Sequence, residues 1–210
     1  MKLAIIDSGG ANISSVKHAL RRLGTEAVFT SDVETILSAD KVILPGVGAA
    51  AAAMNKLNQL GLVNCIRDLK QPVLGICLGM QLLFESSSEG QQTEGQSAGQ
   101  GDKPVACLGV MAGKLEKLTP SQGIRVPHMG WNTTRTVRQH DLLKGLPDQP
   151  WFYFVHSYRV PLAESTLASC LHGEEFAAIV SGGNFHGAQF HPERSADCGA
   201  RFLANFLEMT

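Results

Sequence analysis

The decisive stretch of this chain is residues 72–81, which read Pro72-Val73-Leu74-Gly75-Ile76-Cys77-Leu78-Gly79-Met80-Gln81. The first five residues form a short apolar run that predicts a buried strand, and residues 78–85 have a helical pattern. Cys77 stands between the two, with a glycine two residues before it and another two residues after it. This is the nucleophile-elbow pattern, with cysteine in place of serine.

The elbow pattern has a physical reason. Small residues on both sides of Cys77 let the strand and the helix approach closely while a sharp turn projects the side chain. The helix that follows directs its N-terminal N–H groups toward the sulfur, which favours a thiolate and can stabilise an oxyanion. The alternative is a buried cysteine between chance glycines, so this stretch alone favours a nucleophile without excluding a structural cysteine.

A thiolate nucleophile needs a base, and the base needs a residue that orients it. His191 follows the apolar run 187–190 and so stands at the end of a predicted strand, where sites assemble in doubly wound sheets. Pro192 ends the strand, and the Glu193 carboxylate can reach back to one imidazole nitrogen while the other faces Cys77. A buried histidine beside a chance acid is the alternative for this motif alone. Together the two motifs predict a triad of Cys77, His191 and Glu193.

The rest of the chain predicts an α/β fold. Strands and helices alternate in the first half, which indicates parallel βαβ units with right-handed crossovers. Closely spaced strand candidates in the second half suggest antiparallel strands added to a mostly parallel sheet, and a final helix closes the chain. The expected strands are residues 2–7, 27–29, 41–44 and 72–76 in the first half, and 114–118, 151–160, 167–171, 177–180 and 185–190 in the second.

Length and internal pattern predict one domain, residues 1–210, because a chain of this size can bury a full core and shows no internal repeat. Residues 86–104 differ from the rest of the chain. They are mostly Ser, Gly, Gln and Glu, which predicts a flexible surface loop.

Composition excludes several classes of protein. Apolar residues make up 44% and charged residues 18% of the chain, and the net charge of −1 gives no reason to expect nucleic acid or a membrane surface as a partner. No apolar run reads as a signal peptide or a bilayer crossing, so we expect a cytoplasmic protein. The cysteines number five and none has CxxC spacing, which argues against both a disulfide framework and a zinc site.

Two motifs resemble the signatures of class I, or triad, glutamine amidotransferases: Gly-Ile-Cys-Leu-Gly-Met-Gln at 75–81 and Gln-Phe-His-Pro-Glu at 189–193. Pro-Gly-Val-Gly at 45–48 resembles the oxyanion loop of that class. Three further segments look like the glutaminase subunits of imidazole glycerol phosphate synthases, which act in histidine biosynthesis: Pro-His-Met-Gly-Trp-Asn at 127–132, Tyr-Phe-Val-His-Ser-Tyr at 153–158 and His-Pro-Glu-Arg-Ser at 191–195. The resemblance covers essentially residues 2–209.

The resemblance implies a fold, an activity and a partner. The fold would be a three-layer α/β amidotransferase domain, with helices on both faces of the sheet. The activity would be hydrolysis of glutamine to glutamate and ammonia. The partner would be a (β/α)₈-barrel cyclase subunit that forms a heterodimer with this chain and uses the ammonia in a lyase reaction. The products would be imidazole glycerol phosphate and aminoimidazole carboxamide ribonucleotide, and neither a metal nor an organic cofactor is implied for this subunit.

The resemblance also implies roles for residues outside the triad. The oxyanion hole would be formed by the Leu78 N–H and a second N–H from the loop Gly46-Val47-Gly48, which we expect to be misaligned until the liganded partner binds. Gln81, Glu89, His156 and Ser157, together with Gly48, would bind the α-amino acid end of glutamine. Asn12, Trp131, Asn132 and Arg194 match positions that face the barrel.

The sequence leaves three other functions open. The chain could serve another synthase of the same class, such as the one that makes pyridoxal phosphate, although residues 127–132 argue against it. It could be a free-standing cysteine hydrolase or protease, which would need no docking surface. It could also be an inactive binding subunit that only steadies the barrel, which the intact triad does not favour.

Overall fold

The structure, a computed structural model, describes residues 1–9, 13–89 and 103–209. The strands in chain order are β1 (Leu3–Ile6), β2 (Ala27–Thr30), β3 (Lys41–Gly46), β4 (Val73–Cys77), β5 (Ser86–Ser87), β6 (Val105–Ala106), β7 (Lys114–Lys117), β8 (His128–Thr133), β9 (Arg135–Thr136), β10 (Trp151–His156), β11 (Tyr158–Arg159), β12 (Thr166–His172), β13 (Glu174–Gly182) and β14 (Phe185–Ala188). The helices are α1 (Ile13–Arg22), α2 (Val33–Leu37), α3 (Ala50–Gln59), α4 (Leu62–Asp68), α5 (Leu78–Leu82) and α6 (Ala196–Glu208), with 3₁₀ turns at Asp141–Leu143 and Pro192–Arg194.

The main sheet has eight strands in the order β2-β1-β3-β4-β14-β13-β12-β9. The first five are parallel, and β13, β12 and β9 continue the sheet in antiparallel pairs. The prediction of a mostly parallel α/β sheet with added antiparallel strands is confirmed. Two strands of this sheet differ from expectation. β14, which we grouped with the antiparallel additions, pairs in parallel with β4 and joins the two halves of the sheet, and β9 was not predicted.

Helices cover both faces of the main sheet, as predicted for a three-layer fold. Alternate residues of β1 enter different cores: Leu3 and Ile5 pack in the core that includes residues of α1 and α6, whereas Ala4 and Ile6 pack in the core that includes residues of α3 and α4. A parallel strand covered on both faces reads as a continuous apolar run, and β1 is buried throughout.

The second half also departs from the predicted strand pattern around β8 and β10. Residues 151–160 form two strands in different sheets: β10 pairs with β8 in a two-stranded sheet, and β11 belongs to a four-stranded sheet with β7, β5 and β6. We did not predict β8 because its residues, His-Met-Gly-Trp-Asn-Thr, do not form an apolar run. The β8–β10 pair is antiparallel, with His128 opposite His156 and Trp131 opposite Tyr153.

The chain after Cys77 also differs from prediction. The expected helix at 78–85 is the short α5, Leu78–Leu82. Ser86 and Ser87 then form β5, and Ser87 is buried, so the start of the predicted loop 86–104 is part of a sheet. Residues 90–102 of that loop lie outside the described residues.

The longest helix in the described part of the chain is α6, with 13 residues. A helix that crosses a bilayer needs about 20 apolar residues. Within residues 1–9, 13–89 and 103–209, no helix has the length and apolar character of a membrane span.

Candidate active site

Cys77 stands at the junction of β4 and α5, at the carboxyl edge of the parallel strands. Its backbone has φ 53° and ψ −112°, a conformation that residues with a side chain rarely adopt. Among the described residues, Ala196 is the other non-glycine residue with positive φ. A strained backbone at a buried strand–helix turn is typical of functional positions, because the surrounding structure must hold it in place.

The glycines around Cys77 allow β3, β4 and α5 to pack in direct backbone contact. A Cβ atom on Gly79 would lie 1.8 Å from the carbonyl oxygen of Leu44, and one on Gly75 would lie 2.6 Å from the carbonyl oxygen of Gly79. Pairing of β3 with β4 places Leu44 opposite Gly75 and Gly46 opposite Cys77. The close approach predicted from the elbow pattern therefore needs glycine at both positions.

His191 follows β14 and precedes the 3₁₀ turn that carries Glu193. The imidazole Nδ1 lies 2.9 Å from Glu193 Oε1, so Nδ1–H donates to the carboxylate and Nε2 is left for another partner. The backbone around the ring is held as well: the His191 N–H donates to the Tyr153 carbonyl at 2.9 Å, and the His191 carbonyl accepts from the Ser195 hydroxyl at 2.7 Å. Glu193 thus fixes the tautomer of a ring whose backbone is already restrained.

The Cys77 sulfur interacts with the imidazole. Burial disfavours a charged His191, but hydrogen bonds with Cys77 and Glu193 outweigh that penalty and raise the pKa of His191 to about 10. An imidazole that retains a proton at neutral pH can give it to a group bound beside the sulfur. The sulfur also lies 3.7 Å from the Val155 carbonyl oxygen and 3.9 Å from the Gln189 amide nitrogen.

A cavity of about 330 Å³ opens over the sulfur. It collects most of the residues predicted for catalysis and substrate binding, namely Val47, Gly48, Cys77, Leu78, Gln81, Glu89, His156, Ser157 and His191. A second cavity, of about 160 Å³, lies beside it and shares Val47, Val155 and His191. Gly46, Glu193 and Arg194 line this second cavity. The structure thus gathers residues from β3, β4, β10 and the segment after β14 around one sulfur atom.

The predicted oxyanion loop follows β3 directly. Gly46 is its last strand residue and lies opposite Cys77, and Gly48 has φ +90°, which requires a glycine-like backbone. Val47 is partly exposed and lines both cavities. Leu78 is the first residue of α5, where a backbone N–H has no partner within its own helix.

Gln81 faces the cavity, but its amide nitrogen is already engaged. Nε2 donates to the Tyr158 carbonyl and to Gln189 Oε1, both at 2.9 Å, so the amide oxygen is the group left for a substrate. Gln189 was not among the predicted site residues, although it is fully buried and next to the sulfur. Its position two residues before His191 is the sequence signal for it, because alternate residues of an extended segment face the same side.

Glu89 lines the cavity and also holds the start of α3. Its Oε2 accepts a hydrogen bond of 2.6 Å from the Ala50 N–H, which is an N-terminal cap for the helix that follows the oxyanion loop. Its own N–H donates to the Ser87 hydroxyl at 3.1 Å. A carboxylate in this position holds the first residue of α3, two residues after the loop 46–48, a role that the sequence did not suggest.

His156 lines the cavity, but both of its ring nitrogens are occupied by protein atoms. Nδ1 lies 2.9 Å from the Tyr158 carbonyl oxygen and Nε2 lies 3.0 Å from His128 Nδ1. The side chain therefore has no hydrogen-bonding atom left for a substrate, in contrast to the role implied by the resemblance. Ser157, the next residue, lies between β10 and β11 and lines the same cavity.

The four residues predicted to face a partner have different surroundings. Trp131 is 49% exposed on β8, and the Arg194 guanidinium lies over the Tyr153 ring at 5.5 Å. Asn132 uses its amide nitrogen within the protein, donating to the Leu171 carbonyl at 3.0 Å. Asn12 lies outside the described residues.

Because some of its histidines are buried and neutral, the folded protein should lose stability in mild acid. Burial lowers the pKa of His128 to about 3 and those of His156 and His186 to about 4. The unfolded chain therefore binds more protons below pH ~6.5, and the free energy of unfolding should fall by up to about 1.4 kcal/mol per pH unit for each ring. His191 affects the free energy of unfolding in the opposite direction, because its pKa is raised in the folded protein. Its stabilising contribution is complete below pH ~6.5 and is lost only as pH rises toward 10.

Urea unfolding at pH 7 and pH 5 measures this effect. His186→Gln should flatten the acid dependence, because it removes one of the three buried neutral rings. An equal slope in the wild type and His186→Gln would contradict the prediction.

Comparison with known proteins matches nearly the whole chain to one family. The family described as glutamine amidotransferase class-I matches residues 4–209. Relatives named imidazole glycerol phosphate synthase subunit HisH are 51% identical in Xanthomonas campestris and 50% identical in Xylella fastidiosa, each over 99% of this chain and 98% of the relative. The corresponding protein of Xanthomonas oryzae is 52% identical over the same shares.

Solved structures show the same fold at lower identity. One described as a glutamine amidotransferase has a TM-score of 0.72 and 21% identity, and covers 99% of this chain and 98% of its own. PurLQS from Thermotoga maritima has a TM-score of 0.68 and 19% identity over 98% of this chain and 97% of its own. At this low sequence identity, the similarity shows a shared fold and nothing about function.

Proposed function

The chain belongs to the class I glutamine amidotransferase family and, within it, to the HisH subunits of imidazole glycerol phosphate synthase, and we propose that it hydrolyses glutamine with Cys77, His191 and Glu193. One observation carries the proposal: Cys77 lies at a strained elbow in a cavity that it shares with His191, whose Nδ1 is hydrogen-bonded to Glu193. The family model spans nearly the whole chain, so we treat residues 1–210 as one amidotransferase domain.

The first half of the reaction forms a thioester. The Cys77 thiolate attacks Cδ of glutamine, and the amide oxygen becomes an oxyanion. His191, which holds the thiol proton, gives it from Nε2 to the departing nitrogen. Ammonia leaves, and the glutamyl group stays on the sulfur as the imidazole becomes neutral.

The second half releases glutamate. The neutral His191 takes a proton from water, and the resulting hydroxide attacks the thioester carbon. The sulfur leaves as a thiolate, which restores the thiolate–imidazolium pair. Glu193 holds Nδ1–H throughout, so that Nε2 is the atom that gives and takes the proton.

The oxyanion would be held by two N–H groups, from Leu78 and Val47. Each such donor contributes about 10²–10³ in turnover. Gly46 and Gly48 on either side of Val47 lower the cost of turning the peptide. We propose that the loop completes the oxyanion hole when the liganded partner binds, and that Gln81, Glu89, Ser157 and Gly48 surround the α-amino acid end of glutamine, with His156 contributing its position rather than its ring nitrogens.

The partner would be the barrel-shaped cyclase subunit of the synthase, in a heterodimer. The outer face of β8 carries Met129 and Trp131, which are 64% and 49% exposed, and Arg194 lies nearby over Tyr153. Exposed aromatic and apolar side chains of this kind dominate interface energetics. The ammonia would pass to the cyclase reaction, which forms imidazole glycerol phosphate and aminoimidazole carboxamide ribonucleotide. All cysteines are free thiols, in keeping with a reducing cytoplasm and with a thiol nucleophile.

Glutamate release from glutamine tests the proposal. The purified chain should release glutamate slowly when alone, and at least tenfold faster when it is mixed with the barrel subunit and the nucleotide ligand of that subunit. Full activity in the free chain, unchanged by the partner, would refute both the gated oxyanion loop and the assignment to this synthase. Absence of glutamate release under every condition would refute the glutaminase activity itself.

A further inference from the structure

A buried hydrogen-bond chain runs from β8 to the cavity. Asn132 Nδ2 lies 3.2 Å from His128 Nε2, and His128 Nδ1 lies 3.0 Å from His156 Nε2. His156 Nδ1 then lies 2.9 Å from the carbonyl oxygen of Tyr158. We call these three side chains, Asn132, His128 and His156, the imidazole chain.

The Tyr158 carbonyl, at one end of the imidazole chain, determines the direction of every hydrogen bond in it. The Tyr158 carbonyl can only accept, so His156 must carry its proton on Nδ1. A neutral His156 then accepts at Nε2, which requires the proton of His128 to be on Nδ1 as well. His128 Nε2 is left as an acceptor, and it must receive an N–H from Asn132.

The other end of the imidazole chain requires the same directions. Asn132 Nδ2 also donates to the Leu171 carbonyl at 3.0 Å, and Asn132 Oδ1 accepts from the Thr133 N–H at 2.8 Å. These two bonds orient the amide with its NH₂ group toward His128. Both ends therefore assign the Nδ1–H tautomer to both rings.

Burial keeps both rings neutral and holds them in place. His128 is 3% exposed and stacks between Phe154 and His172, with ring centroids 4.8 and 4.0 Å away. His156 is 5% exposed. Desolvation lowers the pKa of each ring well below neutrality, which matches the neutral tautomers assigned above.

The Tyr158 carbonyl links the imidazole chain to the nucleophile. It also accepts from Gln81 Nε2 at 2.9 Å, and the same Nε2 donates to Gln189 Oε1. Gln189 in turn places its amide nitrogen 3.9 Å from the Cys77 sulfur. Loss of the His156 bond would therefore remove one of two side-chain hydrogen bonds to the Tyr158 carbonyl, the other being the bond that holds Gln81 at the wall of the cavity.

We propose that His128 and Asn132 are positioning residues for glutamine binding: they hold His156 as the Nδ1–H tautomer, and His156 holds the Tyr158 carbonyl that orients Gln81. This inference rests on the proposed glutaminase function. It also gives β8 two faces with different tasks, because Met129 and Trp131 alternate with His128 and Asn132 along the strand. The exposed face meets the partner, and the inner face positions the substrate cavity.

Asn132→Asp is the principal test, because a carboxylate of nearly the same shape cannot donate to His128. Long-range ¹H–¹⁵N spectra of the imidazoles should show protonated Nδ1 and bare Nε2 on both rings in the wild type. In Asn132→Asp, His128 Nε2 should become protonated. The KM for glutamine should rise about tenfold, while kcat changes less than threefold, because orientation of the substrate is lost and the triad is intact.

Two further variants separate hydrogen bonding from packing and folding. His128→Phe keeps a ring to stack on Phe154 but has no nitrogen, and it should raise KM as Asn132→Asp does. Asn184→Asp is the matched control: its amide donates to the carbonyls of Leu69 and Gln71, away from the cavity, so it should cost stability without changing KM or the two tautomers. Assays at saturating barrel subunit, with its Kd measured separately, remove any effect of Asn132 on docking.

Three results would overturn the proposal: an Nε2–H tautomer of either ring in the wild type, an unchanged KM in both Asn132→Asp and His128→Phe, or an equal rise of KM in Asn184→Asp. A wild-type complex that releases no glutamate would refute the proposed function and this positioning role together. The spectra of the wild type would still decide the directions of the hydrogen bonds.

Discussion

Cys77→Ala is expected to abolish glutamate release, with a fall in turnover of about 10⁴-fold or more. Alanine retains the Cβ atom but removes the sulfur, so no thioester can form. The fold should survive because alanine tolerates the positive φ of this position no worse than cysteine does, and the free energy of unfolding should change by less than about 1 kcal/mol. The measurement is glutamate release with the liganded barrel subunit present.

Cys65→Ala is the matched control for that loss. Cys65 is a partly buried thiol on α4, and burial, with the nearby Asp68, raises the pKa of that thiol, so it is not a nucleophile in the mechanism above. This variant should retain wild-type turnover. Turnover that persists in Cys77→Ala and disappears in Cys65→Ala would show that the nucleophile has been misassigned.

Gly79→Ala is expected to destabilise the protein strongly. The added Cβ would lie 1.8 Å from the Leu44 carbonyl oxygen, a backbone atom that belongs to the β3–β4 pair and cannot rotate away. Relief requires α5 to move off the sheet, which takes Leu78 and Gln81 with it. We expect destabilisation of about 3 kcal/mol or more, or failure to accumulate as folded protein, measured by denaturant unfolding.

Gly182→Ala provides the comparison for Gly79→Ala. A Cβ at Gly182 would make ordinary contacts, at 3.6 Å from the Met111 Cε atom, so the stability should change by less than about 1 kcal/mol. If Gly79→Ala were as stable as Gly182→Ala, the direct backbone contact between Gly79 and Leu44 would be contradicted.

The triad residues and the parallel half of the sheet could be predicted because their signals are local. Buried strands such as β1, β3 and β4 read as continuous apolar runs, and the elbow glycines are separated from Cys77 by one residue each. His191 and Glu193 are also close in sequence, so one turn determines their contact.

The remaining parts of the fold and site depend on contacts between distant residues. β14 is parallel because it pairs with β4, and the residues of β14 alone do not indicate this partner. The cap that Glu89 provides to α3 joins residues 39 positions apart, and the bond between Gln81 and Gln189 joins residues 108 apart. The periodicity of the sequence does not indicate such long-range pairs. The substrate role of His156 came from the resemblance alone, and nothing in the sequence indicated that its ring would be buried and hydrogen-bonded within the protein.

The role of Cys77 as the nucleophile is tested most directly by labelling the chain with a diazo-ketone analogue of glutamine, followed by mass spectrometry of its peptides. We expect one adduct per chain, on Cys77, and protection by excess glutamine. The other thiols serve as internal controls: burial raises the pKa of Cys107 to about 11 and that of Cys170 to about 12, so neither should react. An unlabelled Cys77, or an adduct on any other cysteine that glutamine fails to prevent, would contradict the assignment of Cys77 as the glutaminase nucleophile.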